Sequence, residues 1–220
     1  MRLRGVVVAL AYRFSRHRFL SVPWVGWLIL LPVALAAAMA FGRMVVSAWA
    51  IMLAALSLVC AGITSAAGRG GFVAFQPSLH RSPVLREALS PGVRVSTRAT
   101  GCFDVNQMRR CYAWVSGSFA TFETREHVVM VHLKRTRFLL LGQSPKEEVG
   151  WWYTFFRPEQ LLQVTPGELV FGLQRQPGLQ LRYRSDLEKP VAVLHLAFDD
   201  ELKRDRVWDD LVRDAPQARM

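Results

Sequence analysis

The first third of this chain has no acid: residues 1–67 carry six arginines (Arg2, Arg4, Arg13, Arg16, Arg18 and Arg43) and neither Asp, Glu nor Lys. That excludes an ordinary soluble surface, on which both signs of charge mix. From Phe19 to Ala67 charge itself is nearly missing, since Arg43 is the one charged side chain in 49 residues. Catalytic signatures are missing as well. The 220 residues contain no G-x-S-x-G, no P-loop, no H-E-x-x-H and no dinucleotide fingerprint, so nothing in them proposes an enzyme or a cofactor. Cysteine is scarce, with three in all. Cys102 and Cys111 match no four-ligand zinc pattern, and Cys60 lies in the apolar run, so all three read as structural or incidental.

What is present begins with that apolar run. As one helix its 49 residues would measure about 74 Å, against a hydrocarbon core of about 30 Å. Two spans absorb it, Phe19–Phe41 and Met44–Ser65, joined by a tight turn at Gly42-Arg43. Pro32 would kink the first span, and Ser47, Ser57 and Thr64 can bond to carbonyls within the second. Ala38-Met39-Ala40 has the form of a signal-peptidase site, but the apolar stretch before it is long for a signal peptide, which favours an uncut hairpin. Residues 68–220 reach the same side either way. Five arginines precede the first span, Arg69, Arg81 and Arg86 follow the second, and Arg43 alone lies between them. The positive-inside rule then places both termini in the cytoplasm, as a multi-pass membrane protein. Trp24 and Trp27 fit an inner aromatic belt and Trp49 an outer one. Ala34, Ala38 and Gly42, and likewise Ala50, Ala54, Ser57 and Ala61, would let the helices approach closely. Neither span holds an acid, Lys or His, which argues against a transporter.

Residues 1–18 thus read as a basic cytoplasmic tail, 19–67 as the hairpin and 68–110 as a linker. Within the linker, "FVAFQP" reads as a short strand, and "SPVLREAL" as a short helix with Ser82 as N-cap and Pro83 first in the helix. "SPGVRVSTRATG" reads as a turn and an exposed strand, with Arg94, Ser96 and Arg98 alternating against Val93, Val95 and Thr97. From Cys111 the strand signals are regular, near 111–122, 127–134, 137–141, 151–156, 168–173, 179–184 and 190–198. "GQSPKEEVG", "TPGE" at 165–168, "RQPG" at 175–178 and "SDLEKP" supply turns. Leu179, Leu181 and Tyr183 should face in, and Gln180, Arg182 and Arg184 out. A helix follows near 199–213, with Leu202, Val207, Trp208, Leu211 and Val212 on one side. Its acids (Asp199, Asp200, Glu201, Asp205, Asp209 and Asp210) are expected on a solvated face.

Seven strands and one amphipathic helix after a two-helix anchor, with the phrases "WWYTFF", "VTPGELVFG" and "RVWDDL", resemble the bacterial pleckstrin-homology-like membrane proteins. The resemblance covers about residues 111–213. It implies a membrane-anchored α+β protein, in which a mainly antiparallel, strongly bent barrel is plugged at one open end by the C-terminal helix. It also bears on "HLKRTRF", residues 132–138, because lipid-binding members carry a basic pattern in an early strand and loop. Lys134, Arg135 and Arg137 are accordingly the candidate contacts to anionic lipid, at an expected junction between two strands, with an ordinary solvated turn as the rival.

The remaining polar residues offer little. His127 and His132 are five apart in one strand and so face opposite ways, which prevents a shared metal, and His195 has no evident partner. Trp114, Trp151, Trp152, Phe155 and Phe156 look like core positions, which argues against a stacking platform for nucleic acid. The sequence therefore predicts a non-enzymatic, membrane-anchored interaction module without metal or cofactor. It would present its β domain to a protein partner, another copy of itself or an anionic membrane surface. The alternative is a structural or accessory subunit of a larger membrane complex.

Overall fold

The computed structural model describes residues 2–20, 22–41, 48–70, 73–78, 89–105, 108–139, 142–143, 147–184 and 190–218. The chain divides into two compact units, one of residues 6–72 with 134–148, the other of residues 1–5, 73–133 and 149–220.

The basic segment expected as a tail is helical, forming α1 (Arg2–Arg16). Leu3, Val7, Leu10 and Phe14 are exposed, and their 4-3-4 spacing lines them along one face. The chain then turns back on itself at Leu20, which has a φ of 48°. There β1 (His17–Phe19) and β2 (Val22–Pro23) pair antiparallel. Two helices follow, α2 (Trp24–Phe41) and α3 (Ala48–Gly70).

The first expected span is therefore shortened. It begins at Trp24 instead of Phe19 because residues 17–23 are engaged otherwise. β1 pairs parallel with Thr136–Phe138. Phe19 is anchored by Trp24 and Trp27, whose rings lie 5.8 and 5.7 Å away, and by the Trp27 indole N–H donating to its carbonyl at 2.9 Å. With 18 residues, α2 covers about 27 Å, short of a hydrocarbon core of about 30 Å. Among the described residues one helix has the length and apolarity to cross a membrane, α3 over Ala48–Ala66, with a mean hydropathy of 1.9. Pro32 lies inside α2. In α3 the hydroxyls of Ser57 and Thr64 donate to the Ala54 and Cys60 carbonyls. The expected turn at Gly42-Arg43, and Ser47, lie outside the described residues.

α2 and α3 pack together. Ala50, Ala54, Ser57 and Ala61 form the least exposed stripe of α3, as their small size predicts, whereas Ala34 and Ala38 of α2 are exposed. The helix–helix contact thus uses the expected face of α3 but not that of α2.

The remaining strands are β3 (Ala74–Pro77), β4 (Arg94–Val105), β5 (Met108–Thr121), β6 (His127–Leu139), β7 (Gly142–Gln143), β8 (Glu147–Phe156), β9 (Leu161–Phe171), β10 (Gln174–Tyr183) and β11 (Ala192–Ala197). β7, β6 beyond Leu133 and β8 before Val149 fall in the smaller unit, and the rest in the larger one. α4 (Glu201–Asp214) closes the series. The molecule is α+β, with a large antiparallel sheet and a C-terminal helix. Two meanders, β4–β5–β6 and β9–β10–β11, are joined where β11 pairs with β4, His195 opposite Thr100. β3 adds beside β9, and β8 pairs β6. β4 is therefore an inner strand, and its Thr97 and Ala99 are buried.

Three expected breaks are not breaks. Residues 127–139 run as one strand, so Lys134, Arg135 and Arg137 lie within β6 and not at a junction. "TPGE" is inside β9 and "RQPG" inside β10, while the hairpin turns at Gly172-Leu173, with Gly172 at φ 65°. The prolines are tolerated because each sits at the end of a ladder. The Pro166 carbonyl accepts from Ser78, just past the last residue of β3, and the Pro177 carbonyl accepts from Phe198, just past β11. A residue's N–H points to the same side as its carbonyl, so the donor each proline lacks has no strand partner there. Gly167 and Gly178 face each other in register. A Cβ on Gly167 would collide with the Gln76 carbonyl, so glycine permits the close approach of β3 to β9. The residues of the predicted short helix lie almost wholly in 79–88, outside the described residues.

The core gathers Phe119, Phe156, Leu179, Leu181, Leu196 and Phe198 of the strands and connections with Val207, Trp208 and Leu211 of α4. Leu179 and Leu181 point in, and Tyr183 packs at the margin, as the alternation predicts. α4 starts at an Asp200 N-cap whose carboxylate accepts from the Leu202 N–H at 3.0 Å. Its orientation departs from expectation in two respects. Leu202 is 51% exposed, while Asp205 and Asp210, expected in solvent, are buried. Asp205 accepts from the Arg204 guanidinium at 2.8 Å, and Arg204 is itself buried.

Candidate functional site

The most constrained polar group in the β unit lies where the β5–β6 hairpin meets α4. The turn is fixed by the Phe122 N–H bonding to the Glu126 carbonyl and by Arg125 at φ 58°. Its geometry sets Thr121, the last residue of β5, opposite His127, the first of β6. Thr121 Oγ1 donates to Asp210 Oδ2 at 2.7 Å and lies 3.1 Å from His127 Nδ1. The other Asp210 oxygen accepts from the Leu89 N–H at 3.3 Å and lies 3.7 Å from Arg213. Asp214, one turn further along α4, places Oδ2 3.6 Å from His127 Nε2. Phe119 and Phe156 flank the imidazole at 5.7 and 5.6 Å between ring centres.

Proton counting fixes the tautomer. A hydroxyl has one proton, and the short bond to Asp210 uses it, so Thr121 accepts from His127 Nδ1–H. Nε2 is then the basic nitrogen if the ring is neutral. Burial holds the His127 pKa below its usual value, opposed by the charges of Asp214 and Asp210. Nε2 is buried with no hydrogen-bond partner, and 3.6 Å to Asp214 is too long for one. His127, Asp210 and Asp214 present three donor atoms within 4.8 Å of one another, a set able to hold a metal ion. The opposite-faces rule for His127 and His132 holds, since His132 instead stacks on Trp151 at 4.6 Å. The sequence misses this group because His127 acquires its partners from a helix more than eighty residues later. The one visible signal is the i, i+4 spacing of Asp210 and Asp214.

A second feature is the outer face of β8. Trp151, Tyr153 and Phe155 alternate outward at 55%, 48% and 56% exposure, whereas Phe156 is buried. Trp151 and Phe155, expected in the core, are thus on the surface, and Tyr153 stacks on Phe155 at 6.0 Å. Trp152 is partly buried against the core, as expected, and Trp114 stacks on Phe171 at 5.2 Å.

The basic segment belongs to β6, with Arg137 the register partner of Arg18 in β1. The side chains of Lys134, Arg135 and Arg137 lie outside the described residues, as do those of Cys102 and Cys111, whose Cα positions are register partners in β4 and β5. His195, expected to lack a partner, lies 3.0 Å from Gln180 through Nε2 and beside the Phe75 ring. No protein-family model matches the chain, and no curated protein or solved structure is significantly similar to it.

Proposed function

We propose that this protein is a non-enzymatic interaction module anchored in the bacterial inner membrane, with both termini in the cytoplasm and its β unit at the cytoplasmic face. The exposed aromatic row Trp151–Tyr153–Phe155 carries the reading. Adjacent large aromatics on one strand face make poor solvent-facing surface, and Trp and Tyr concentrate where proteins bind. The partner is another protein or a second copy of this chain. The two antiparallel meanders β4–β5–β6 and β9–β10–β11, followed by a helix packed on the core, support the pleckstrin-homology-like architecture.

Anchoring is supported by α3, on which Trp49, Ile51, Met52, Leu53, Leu56 and Val59 are all exposed. A helix apolar on most sides requires lipid or protein around it. α2 would cross with it as the shorter arm of a hairpin, by local thinning of the bilayer. Anionic lipid contact by Lys134, Arg135 and Arg137 is supported by Arg18 as register partner of Arg137, and by Trp24 and Trp27 gathered at Phe19 where α2 begins. Basic and aromatic side chains together suit an inner-leaflet interface.

The test is the mass of the detergent-solubilised full chain, parent against a Trp151→Ser/Phe155→Ser variant. The parent should elute as a discrete assembly larger than its 24.9 kDa monomer plus detergent, and the variant as the monomer. Identical monomeric elution of both would remove the interaction reading. Stoichiometric foreign subunits retained by both would favour an accessory subunit docked through its helices.

A further inference from the structure

We infer that His127, Asp210 and Asp214 form a binding site for one divalent transition-metal ion of the zinc type, which fastens α4 to the β5–β6 hairpin. The inference is independent of the membrane-module reading and rests on the geometry around one ring nitrogen. His127 is fully buried, Nδ1 is committed to Thr121, and Nε2 has no hydrogen-bond partner. A buried nitrogen lone pair facing a carboxylate oxygen at 3.6 Å is unfavourable unless a proton or a metal cation lies between them.

The spacing suits a metal. Ligand atoms about 2.0–2.1 Å from a tetrahedral zinc ion lie about 3.3 Å apart, close to the observed 3.6 Å. Asp210 and Asp214 are one helical turn apart on α4 and reach the same point, all three donor atoms falling within 4.8 Å. A nitrogen with two carboxylate oxygens favours zinc and its neighbours over calcium or magnesium, which prefer all-oxygen shells. A dication would also balance two carboxylates, of which Asp210 has Arg213 3.7 Å away. Thr121 would act as a positioning residue, since holding the distal ring nitrogen fixes the tautomer a metal requires. Three protein ligands leave a fourth position for water.

The test uses the full chain in mild detergent, stripped with a chelator and titrated with zinc chloride by calorimetry. One ion per chain should bind, and hydrogen exchange in α4 should slow when it does. Asp214→Asn alters a carboxylate at the helix end and should weaken binding at least tenfold. Thr121→Val should weaken it about 10–100-fold. Zinc that leaves α4 exchange unchanged in the parent, or binds parent and Asp214→Asn equally, overturns the proposal. The exchange measurement needs no variant, so it decides the matter even if a substituted chain misfolds. Absence of any zinc uptake by the parent also overturns it, and would mean that a proton bridges His127 and Asp214 instead.

Discussion

Leu202 and Leu211 offer a controlled comparison, because they are the same residue on the same helix and the sequence expects both inside. Leu211 is fully buried in the core beside Trp208, Phe198 and Ala215, whereas Leu202, two residues after the N-cap, is 51% exposed. Leu→Ala at a site with no exposure loses the transfer free energy of the side chain and leaves a cavity, together about 3–5 kcal/mol. At an exposed site whose side chain takes no part in a cap or ion pair the change stays within about 0.5 kcal/mol, and the Leu202 N–H that meets the N-cap is kept in the alanine variant. A urea slope of about 1–3 kcal/mol per M turns a loss of about 3 kcal/mol into a midpoint drop of about 1–3 M. The assay is the urea midpoint of the strand signal in circular dichroism, for the full chain in detergent. Leu211→Ala should drop by at least about 1 M and Leu202→Ala should match the parent within about 0.5 M. Equal shifts would refute the assigned orientation of α4, and with it the burial of Asp210 and the whole His127 group.

His195 is kept neutral by burial, its pKa pushed down to about 4. The unfolded chain binds its proton near pH 6.5, so the stability from this residue is complete above about pH 6.5 and is lost as the pH falls to about 4. His195→Gln should flatten the pH dependence of the urea midpoint in that window, and an unchanged slope would contradict the buried neutral ring. Replacing Lys134, Arg135 and Arg137 together by Gln should reduce sedimentation of a 69–220 fragment, which lacks α2 and nearly all of α3, with acidic vesicles at low salt, by up to about 3 kcal/mol of apposition; equal sedimentation with the parent fragment would rule out the lipid contact. A membrane-impermeant thiol reagent should fail to label Cys102 and Cys111 in intact cells, and efficient labelling from outside would reverse the topology.

The sequence by itself determined where the chain is apolar, where it is basic and which segments alternate. The acid-free first third marks α2 and α3, the two-residue period marks Leu179 and Leu181 as core, and the three- and four-residue spacing marks Val207, Trp208 and Leu211. These are local properties, carried by neighbours within a turn or a strand. Tertiary structure decided everything that depends on what lies across a gap. Pro166-Gly167 and Pro177-Gly178 have the composition of turns, and became strand because β3 and β11 end beside their missing N–H groups. Trp151 and Phe155 have the composition of core, and face outward because β8 turns the alternate residues, Trp152 and Phe156, to the interior. Asp210 has the composition of a solvated helix face, and is buried because Thr121, 89 residues earlier, meets it across the hairpin. Whether a carboxylate is solvated or a histidine nitrogen is left bare depends on that distant partner, and no local period encodes it.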